Sequence, residues 1–358
     1  MLSRPSGHRL IHGTDGLNSG AWPVAADHLV TPVHSFFTRS HAPVPHIDPA
    51  SWRLQVAGLV ERPLECSLDQ LVRSSPRRAI AATMVCAGLR REEFLSLGPL
   101  PGELPWGPEP ISTGRWSGVS LGDLLQSSGI SSRARYAEFI GLDQVERHGA
   151  RFGFGASIDL DKALNGEVLL ATELNGEILP PQHGFPVRVV VPGWIGARSV
   201  KWLGRINLLE TPSPNYFQSK AYRFQRETNP EDPRDVSVGT ALSEMPLNSV
   251  IVSPGSEVLT AGRVMVRGWA VGTGGRPLKS VELSPDAGDS WVKARISVPG
   301  ERWTWSLWEG ELTLPRGRHV LAARATDSGS TQPATVGETW NVKGYNNNAW
   351  HRVPVVVG

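Results

Sequence analysis

One cysteine stands where its sulfur could serve as a metal ligand. Cys86 closes a run of small and β-branched apolar residues that begins near residue 83, and Gly88, Arg90 and Arg91 follow it. Fixed positive charge beside a cysteine favours the thiolate, which is a soft metal ligand. A lone cysteine at the end of a strand is more often a small buried hydrophobic side chain. Cys86 therefore has a chemical function only if other parts of the chain build a site around it.

A second stretch, residues 179–202, has the composition of an anion-binding site. A valine-rich strand is flanked by two basic residues at one end and by a glycine-rich basic turn at the other. Arginine binds phosphate through paired hydrogen bonds, lysine adds a point charge, and glycine lets backbone N–H groups approach. Because these cations lie among tryptophans and valines, a bound anion would offset the cost of burying them. The alternative is a solvated basic face. The candidate contacts are His183, Arg188, Arg198, Ser199 and Lys201.

The composition is that of an ordinary globular protein. Of the 358 residues, 40% are hydrophobic and 20% are charged, and the net charge is +2. This length is typical of two domains, and the small net charge argues against nucleic acid or a membrane as a partner. The two cysteines, Cys66 and Cys86, fit no zinc or haem attachment motif. We find no secretory signal and no run of about 18 apolar residues, which predicts a cytoplasmic protein, or a periplasmic one if a leader was removed.

The first part of the chain alternates short helices and strands, which predicts an α+β domain. Residues 67–72 and 120–125 each begin with a serine that can cap a helix. Gly153 and Gly155 do not form a dinucleotide fingerprint, so no nucleotide cofactor is expected. The predicted strands of this part lie at 51–60, 136–142, 152–158, 167–174 and 187–191.

The second part of the chain is predicted to be all β. A polar, proline-bearing linker at 226–239 separates it from the domain at 34–225, and residues 1–33 are expected to form an extended surface arm. From 240 to 358 short alternating strands predict an antiparallel β-sandwich with an immunoglobulin-like layout but without its disulfide. The predicted strands lie at 249–253, 263–271, 280–284, 291–298, 303–314, 319–326 and 339–342.

A glycine- and proline-rich loop at 98–110 follows Cys86 and carries Trp106. Loops on a rigid scaffold frequently hold the residues of a functional site. An exposed indole there would wall a small anion pocket with its N–H turned inward, whereas a buried indole would pin the loop to the core. The sequence is compatible with both interpretations of Trp106.

Five stretches, in order and at the right spacing, resemble the sulfite oxidase family of molybdenum enzymes. They are 36–41, Cys86 with its arginines, 111–118, 183–188 and 196–205. The resemblance implies a molybdenum-molybdopterin cofactor, with Cys86 as the metal ligand and without haem. The cofactor contacts that it implies are Phe37, Arg39, His41, His183, Arg188, Gly196, Arg198, Ser199 and Lys201.

The same resemblance implies which side chains face a small oxyanion. Tyr222, rather than Tyr216, would hydrogen-bond the substrate-facing oxygen. Three positions depart from the family pattern, which often has arginine at Lys343, asparagine at Leu89 and histidine at Ser199. Lysine keeps the charge but lacks the two-pronged hydrogen bonding of arginine, so we expect an effect on substrate affinity or selectivity. The implied catalytic residues are Tyr222, Arg39, Arg91, Trp106 and Lys343.

As an activity, the resemblance implies oxidation of sulfite to sulfate, with two electrons passed singly to an external acceptor, either oxygen or a cytochrome. Relatives dimerise through the β domain, so a homodimer is expected. Trp303, Trp305 and Trp308 suit a core or an interface. Two alternatives stay open: a nitrate or sulfoxide reductase on the same scaffold, and a catalytically silent relative that binds an anion or a partner.

Overall fold

A computed structural model describes residues 8–12, 17–22, 28–229, 231–232, 235–255 and 257–358. Two parts follow each other along the chain, and each has a hydrophobic core of its own. The strands of the first part are β1 (His8–His12), β2 (Asn18–Trp22), β3 (Arg53–Gly58), β4 (Leu64–Ser67), β5 (Arg78–Val85), β6 (Ile111–Ser120), β7 (Tyr136–Gly141), β8 (Val145–Arg147), β9 (Ala150–Phe152), β10 (Gly155–Asp159), β11 (Leu169–Leu174), β12 (Glu177–Ile178), β13 (Arg188–Val190), β14 (Leu203–Leu209) and β15 (Arg223–Phe224). The helices of this part are α1 (Leu68–Arg73), α2 (Leu121–Ser128), α3 (Leu160–Leu164) and α4 (Tyr216–Ser219).

Two sheets build the first part and share its main core. One has the order β10-β7-β14-β3-β4, with β14 parallel to β3 and the other neighbours antiparallel. The second has the order β12-β11-β6-β5, and β13 adds to it against β11. Leu54 and Phe139 from the first sheet meet Leu170 from the second in a fully buried aliphatic and aromatic layer. Helices and strands are mixed here, as the sequence predicted.

Both predicted helices begin at the serines that the sequence indicated. Ser67 Oγ accepts a hydrogen bond from the Gln70 N–H at 3.3 Å, and Gln70 Oε1 accepts one from the Ser67 N–H at 2.8 Å, which completes a capping box for α1. Ser120 Oγ caps α2 through the N–H of Asp123. Among the helices described, none combines the length and the apolar character that a bilayer crossing requires.

The second part consists of two further sheets around one core. Their orders are β17-β19-β23-β22 and β18-β25-β24-β20-β21. Val266 from the first of these sheets packs with Leu283 and Leu321 from the second, and all three are fully buried. The elements are β16 (Thr240–Ala241), β17 (Asn248–Ser253), β18 (Val258–Leu259), β19 (Gly262–Val271), β20 (Leu278–Ser284), β21 (Val292–Lys293), β22 (Arg295–Val298), β23 (Ser306–Leu314), β24 (Gly317–Asp327), α5 (Val336–Thr339) and β25 (His351–Val357).

The strand predicted at 339–342 is wrong. Helix α5 ends at Thr339, and it begins after Thr335, whose backbone N–H donates to the Glu338 carboxylate at 2.7 Å. Thr335 and Glu338 form a Thr-x-x-Glu pattern, which is typical of a helix start. The last strand is instead β25, which runs antiparallel to β24.

Tryptophans join the two parts of the chain. Trp305 Nε1 donates to the Leu29 carbonyl at 2.9 Å, and its backbone N–H donates to Thr83 Oγ1 at 2.8 Å. Trp303 Nε1 donates to the Glu167 carboxylate at 3.0 Å. The predicted tryptophan cluster is therefore divided, because Trp305 and Trp303 seal the contact between the parts while Trp308 lies in the core of the second.

The predicted N-terminal arm contains a hairpin in its described ranges, formed by β1 and β2. The backbone of Ser19 exchanges two hydrogen bonds with Thr38, at 3.0 and 2.7 Å. The buried Asn18 side chain accepts a hydrogen bond from Arg39 at 2.9 Å. The hairpin is thus more than a surface arm, since its Asn18 side chain holds the predicted site residue Arg39.

Candidate active site

One cleft, beside the end of β5, gathers most of the predicted site residues. It is continuous with a wider mouth, since Arg39, His41, Cys86 and Tyr222 line both. The Phe37 N–H donates to Ser112 Oγ at 3.1 Å, so strand β6 holds the segment 36–41 at the edge of the cleft. The predicted residues that line the cleft are Phe37, Arg39, His41, Cys86, His183, Arg188, Gly196, Ser199, Lys201 and Tyr222.

Cys86 is fixed by backbone contacts on both sides. Its N–H donates to the Pro110 carbonyl at 3.0 Å, and the Gly88 N–H donates to its Sγ at 3.4 Å. Burial raises the pKa of the Cys86 thiol above its usual 9.0, although Arg39 and Arg91 act in the opposite direction. The two arginines therefore do not lower the pKa of Cys86 enough to produce the expected thiolate. A coordinated metal, which deprotonates a thiol outright, would be required.

The first of the two arginines after Cys86 does not belong to the site. Arg90 pairs with the Glu93 carboxylate at 2.7 and 2.8 Å and donates to Asn248 Oδ1 and the Ala349 carbonyl, both at 2.8 Å. These partners bury it completely between the two parts of the chain. Arg91 points the other way and lines the mouth of the cleft.

Arg188 is a buried cation with no carboxylate partner in the described part of the chain. Its two terminal nitrogens donate to the carbonyls of His183 and Ser199, each at 3.0 Å, and its guanidinium lies 4.9 Å from the centre of the Trp116 ring. Burial lowers the pKa of Arg188 to about 9, which leaves it charged at neutral pH. Because its partners are neutral, its positive charge remains available to an anion in the cleft.

Lys201 is a second cation of this kind. Its Nζ donates to Ser40 Oγ at 2.7 Å and to the Gln182 carbonyl at 3.0 Å, and it lies 4.2 Å from the centre of a Trp202 ring. Burial, and then the nearby Arg188, lowers the pKa of Lys201 well below its usual 10.5. An anion between these two cations would reverse that effect and stabilise both charges.

Asp143 lines the same cleft and was missed by the sequence analysis. One carboxylate oxygen accepts the Phe154 N–H at 2.9 Å, and the other is buried without a partner among the described residues. Burial raises the pKa of this carboxyl group. Asp143 follows β7 in a polar turn, where no local pattern separates it from an ordinary loop aspartate. It offers a ligand an acceptor in the same cleft as the cations.

Arg39, His41 and Tyr222 form a hydrogen-bonded chain at the entrance. Arg39 Nη2 lies 3.3 Å from His41 Nδ1, and His41 Nε2 lies 2.9 Å from the Tyr222 hydroxyl. Burial, reinforced by Arg39, lowers the pKa of His41 well below 6.5, so the ring is neutral. Since a guanidinium can only donate, Nδ1 accepts and the single ring proton sits on Nε2. Tyr222 therefore accepts from His41 and keeps its own O–H for a ligand.

Two predicted contacts lie outside the cleft. Trp106 is fully buried in the cluster with Phe36 and Trp116 and lines neither the cleft nor its mouth, which fits the loop-pinning interpretation. Arg198 is also fully buried. Its Nε donates to the Leu242 carbonyl at 2.9 Å and its Nη1 to the Phe217 carbonyl at 3.4 Å, while its Nη2 is buried without a partner among the described residues.

The mouth contains the remaining predicted residues together with one that was not predicted. Lys343 Nζ and Arg91 Nη2 each lie 3.3 Å from a different oxygen of Glu103. Arg91 also donates to the carbonyl of Lys343 at 2.9 Å and to that of Leu104 at 3.1 Å. A single carboxylate thus bridges the two outer cations that the resemblance assigns to an oxyanion.

The donor set fits a phosphorylated pterin that carries a metal. Arg188 and Lys201 supply charge for a phosphate, and the unpartnered oxygen of Asp143 can accept from a ring N–H. Gly184 has φ +109°, and a Cβ there would lie 3.0 Å from the Cβ of Arg188. A larger residue at this position would therefore displace the Arg188 side chain. Among the described residues, no group of three or more His, Cys, Asp or Glu side chains could hold a metal ion.

Comparison with known proteins agrees with this geometry. The oxidoreductase molybdopterin binding domain family matches residues 41–217, and the Mo-co oxidoreductase dimerisation domain family matches residues 239–358. The fold is similar to the crystal structure of the sulfane dehydrogenase SoxCD from Paracoccus pantotrophus, with a TM-score of 0.80 and 24% identity, covering 98% of this chain and 90% of that one.

Several proteins are similar to this chain over most of its length. Sulfite oxidase of Gallus gallus is 38% identical over 91% of this chain and 73% of its own length, and mitochondrial sulfite oxidase of Homo sapiens is 39% identical over 92% of this chain and 62% of its own. Nitrate reductase [NADH] 2 of Phaseolus vulgaris is 34% identical over 91% of this chain and 39% of its own length. The protein therefore belongs to the sulfite oxidase family of molybdopterin-binding oxidoreductases.

Proposed function

We propose that this protein oxidises sulfite to sulfate with a molybdenum-molybdopterin cofactor and passes the electrons singly to an external acceptor, either oxygen or a cytochrome. The observation that supports this most is the convergence, in one cleft, of the Cys86 sulfur, the Tyr222 hydroxyl, and cations that have no carboxylate partner among the described residues. This combination suits a thiolate-ligated metal beside an oxyanion better than it suits an anion-binding module, which has no use for the cysteine.

The residues of the chain would hold the cofactor and orient the oxyanion, while the bound cofactor would supply oxygen-atom transfer and the change in oxidation state. His183, Arg188 and Lys201 would hold its phosphate, and Cys86 would ligate its metal. Arg39 and Tyr222 would position the oxyanion by charge and by hydrogen bonding. His41 would keep the proton of Tyr222 available throughout, because it donates to the phenol oxygen and leaves the O–H free.

We further propose that residues 34–225 form the catalytic domain and 240–358 an immunoglobulin-like dimerisation domain, with 226–239 as the linker. Two sheets around one core support the sandwich layout. The match of the dimerisation domain family to residues 239–358 supports a homodimer. The mass of the purified protein by light scattering tests this, and a monomer at micromolar concentration would contradict it.

Metal analysis and substrate comparison test the activity. Protein purified from a host that makes molybdopterin should contain about one molybdenum per chain, and it should turn over sulfite with an artificial acceptor such as ferricyanide. Reduction of nitrate without oxidation of sulfite would favour the second candidate, which the similarity to a nitrate reductase supports. Protein without molybdenum would favour a silent relative.

A further inference from the structure

Glu103 occupies an unusual position for an anion-binding site. Its side chain is 17% exposed, lines the mouth of the cleft, and contacts Arg91 and Lys343 through separate oxygens at 3.3 Å. Its backbone N–H donates to the Leu100 carbonyl at 3.2 Å, which closes the turn that carries it. The carboxylate is therefore held in place beside both cations.

Apart from Glu103, Arg91 is held by neutral groups. Arg91 is held by the carbonyls of Lys343, Gly344 and Leu104, and its guanidinium lies 5.0 Å from the centre of the Tyr345 ring. These contacts are neutral, so Glu103 is its only ionic partner in the described ranges. An incoming anion must compete with a carboxylate that is already covalently part of the site.

The charge of Glu103 also affects Tyr222, which lines both the cleft and its mouth. Burial raises the pKa of Tyr222 to about 12, and Glu103 adds to that increase while Arg39 opposes it. Glu103 and Tyr222 both line the mouth, so a charge that affects the ionisation of Tyr222 also affects an oxyanion bound beside that hydroxyl.

We propose that Glu103 determines the anion selectivity of this site: it acts as an internal competing anion that weakens the binding of oxyanions, and of doubly charged ones most. Electrostatic free energy scales with the charge of the ligand, so a dianion loses about twice as much as a monoanion. The site then favours substrates of low charge and releases a doubly charged product readily. This rests on the proposed function only in taking an oxyanion as the ligand.

The test is anion binding to oxidised holoenzyme, measured by titration calorimetry with sodium sulfate and sodium nitrate at constant ionic strength. Glu103→Gln keeps the shape of the side chain and removes its charge. We expect about tenfold tighter sulfate binding and about threefold tighter nitrate binding, the smaller factor being roughly the square root of the larger. Glu103→Asp, which is charged but too short to span both cations, should tighten sulfate binding by about threefold.

Two controls test whether the effect comes from the contact of Glu103 with the two cations. Glu311→Gln removes the same charge from the second part of the chain, where Glu311 faces Arg263 at 3.7 Å, and should leave both affinities unchanged. Adding Lys343→Gln to Glu103→Gln should return sulfate affinity to near the wild-type value. Molybdenum content and melting temperature establish that each variant is folded and loaded.

Sulfate affinities of Glu103→Gln and Glu103→Asp within twofold of wild type would overturn the proposal, and so would equal tightening in Glu311→Gln. Its failure is distinguishable from that of the proposed function. If Glu103→Gln tightens sulfate binding but the enzyme does not oxidise sulfite, the substrate assignment fails and this inference stands. If sulfite is oxidised and anion binding does not change, only this inference fails.

Discussion

His41 Nε2 lies 2.9 Å from the hydroxyl of Tyr222, a residue 181 positions later in the chain. Stacking between His41 and Phe154, with ring centroids 5.5 Å apart, holds the imidazole against the wall of the cleft. Arg39 occupies the other ring nitrogen, which fixes the tautomer. This relationship assigns a hydrogen-bonding direction to each member of the chain and leads to the first two predictions.

Tyr222→Phe removes the donor that faces the ligand without disturbing the packing of the ring. We expect kcat/KM for sulfite to fall by about 10- to 100-fold, as for the loss of a positioned donor. The melting temperature should change by only a few degrees, since one hydrogen bond contributes about 1 kcal/mol. Steady-state kinetics and calorimetry measure the two effects. Tyr216→Phe, at the rim of the mouth, is the matched control and should retain near wild-type kcat/KM.

Stability should depend on pH through His41. The buried ring has a pKa well below 6.5, so under acidic conditions the unfolded chain binds a proton that the folded chain does not. The free energy of unfolding should therefore fall as pH drops below about 6.5, by up to about 1.4 kcal/mol per pH unit. His351 is also buried with a lowered pKa and adds a slope of the same sign. The measurement is thus the difference between wild type and His41→Gln in urea midpoints from pH 7 to pH 5, and parallel curves would contradict the prediction.

Arg188→Leu should destabilise the apoprotein by about 3 kcal/mol. It would leave the carbonyls of His183 and Ser199 buried without donors, each at a cost of about 1 to 3 kcal/mol. Arg188→Lys retains the charge but cannot reach both carbonyls, so its loss should be smaller. Denaturant titration gives these values, and molybdenum content of the same preparations reports on cofactor retention. Wild-type stability in Arg188→Leu would show that these hydrogen bonds contribute little.

Trp305→Ala should loosen the contact between the two parts of the chain. The indole is fully buried, stacks on Trp269 with centroids 5.9 Å apart, and donates to the Leu29 carbonyl. We expect a loss of about 3 to 5 kcal/mol for the alanine variant and about 1 kcal/mol for Trp305→Phe, which loses mainly the hydrogen bond. Differential scanning calorimetry should resolve two transitions in the alanine variant if the parts uncouple. Equal stability of both variants would contradict this role.

Local signals predicted the elements that depend on local chemistry. Ser67 and Ser120 start helices because a serine oxygen satisfies N–H groups within the same turn. The strand expected at 339–342 failed although Thr335 and Glu338 carried an equally local helix signal. This segment follows its capping pattern and not its apolar alternation.

The site was predictable where several basic residues share one stretch, and not where contacts join distant segments. Arg90 and Arg91 are adjacent in sequence, yet Arg90 binds partners between the two parts of the chain and Arg91 lines the mouth of the cleft. Trp106 could wall a pocket or pin a loop, and only the packing of the loop decides. Asp143 and Glu103 are ordinary loop carboxylates in the sequence. Their importance comes from the cations that the fold brings to them, Lys343 among them from the far end of the chain.

The most direct test of sulfite oxidation is the anaerobic addition of sulfite to purified, molybdenum-loaded protein, followed by molybdenum absorption. One equivalent of ferricyanide is then added to remove a single electron, and the paramagnetic signal of the one-electron state is recorded. We expect bleaching with sulfite and the signal after ferricyanide, and the loss of both in Cys86→Ser. A fully loaded centre that dithionite reduces but sulfite does not would contradict the assignment, and nitrate or sulfoxide reduction would then become the leading proposal.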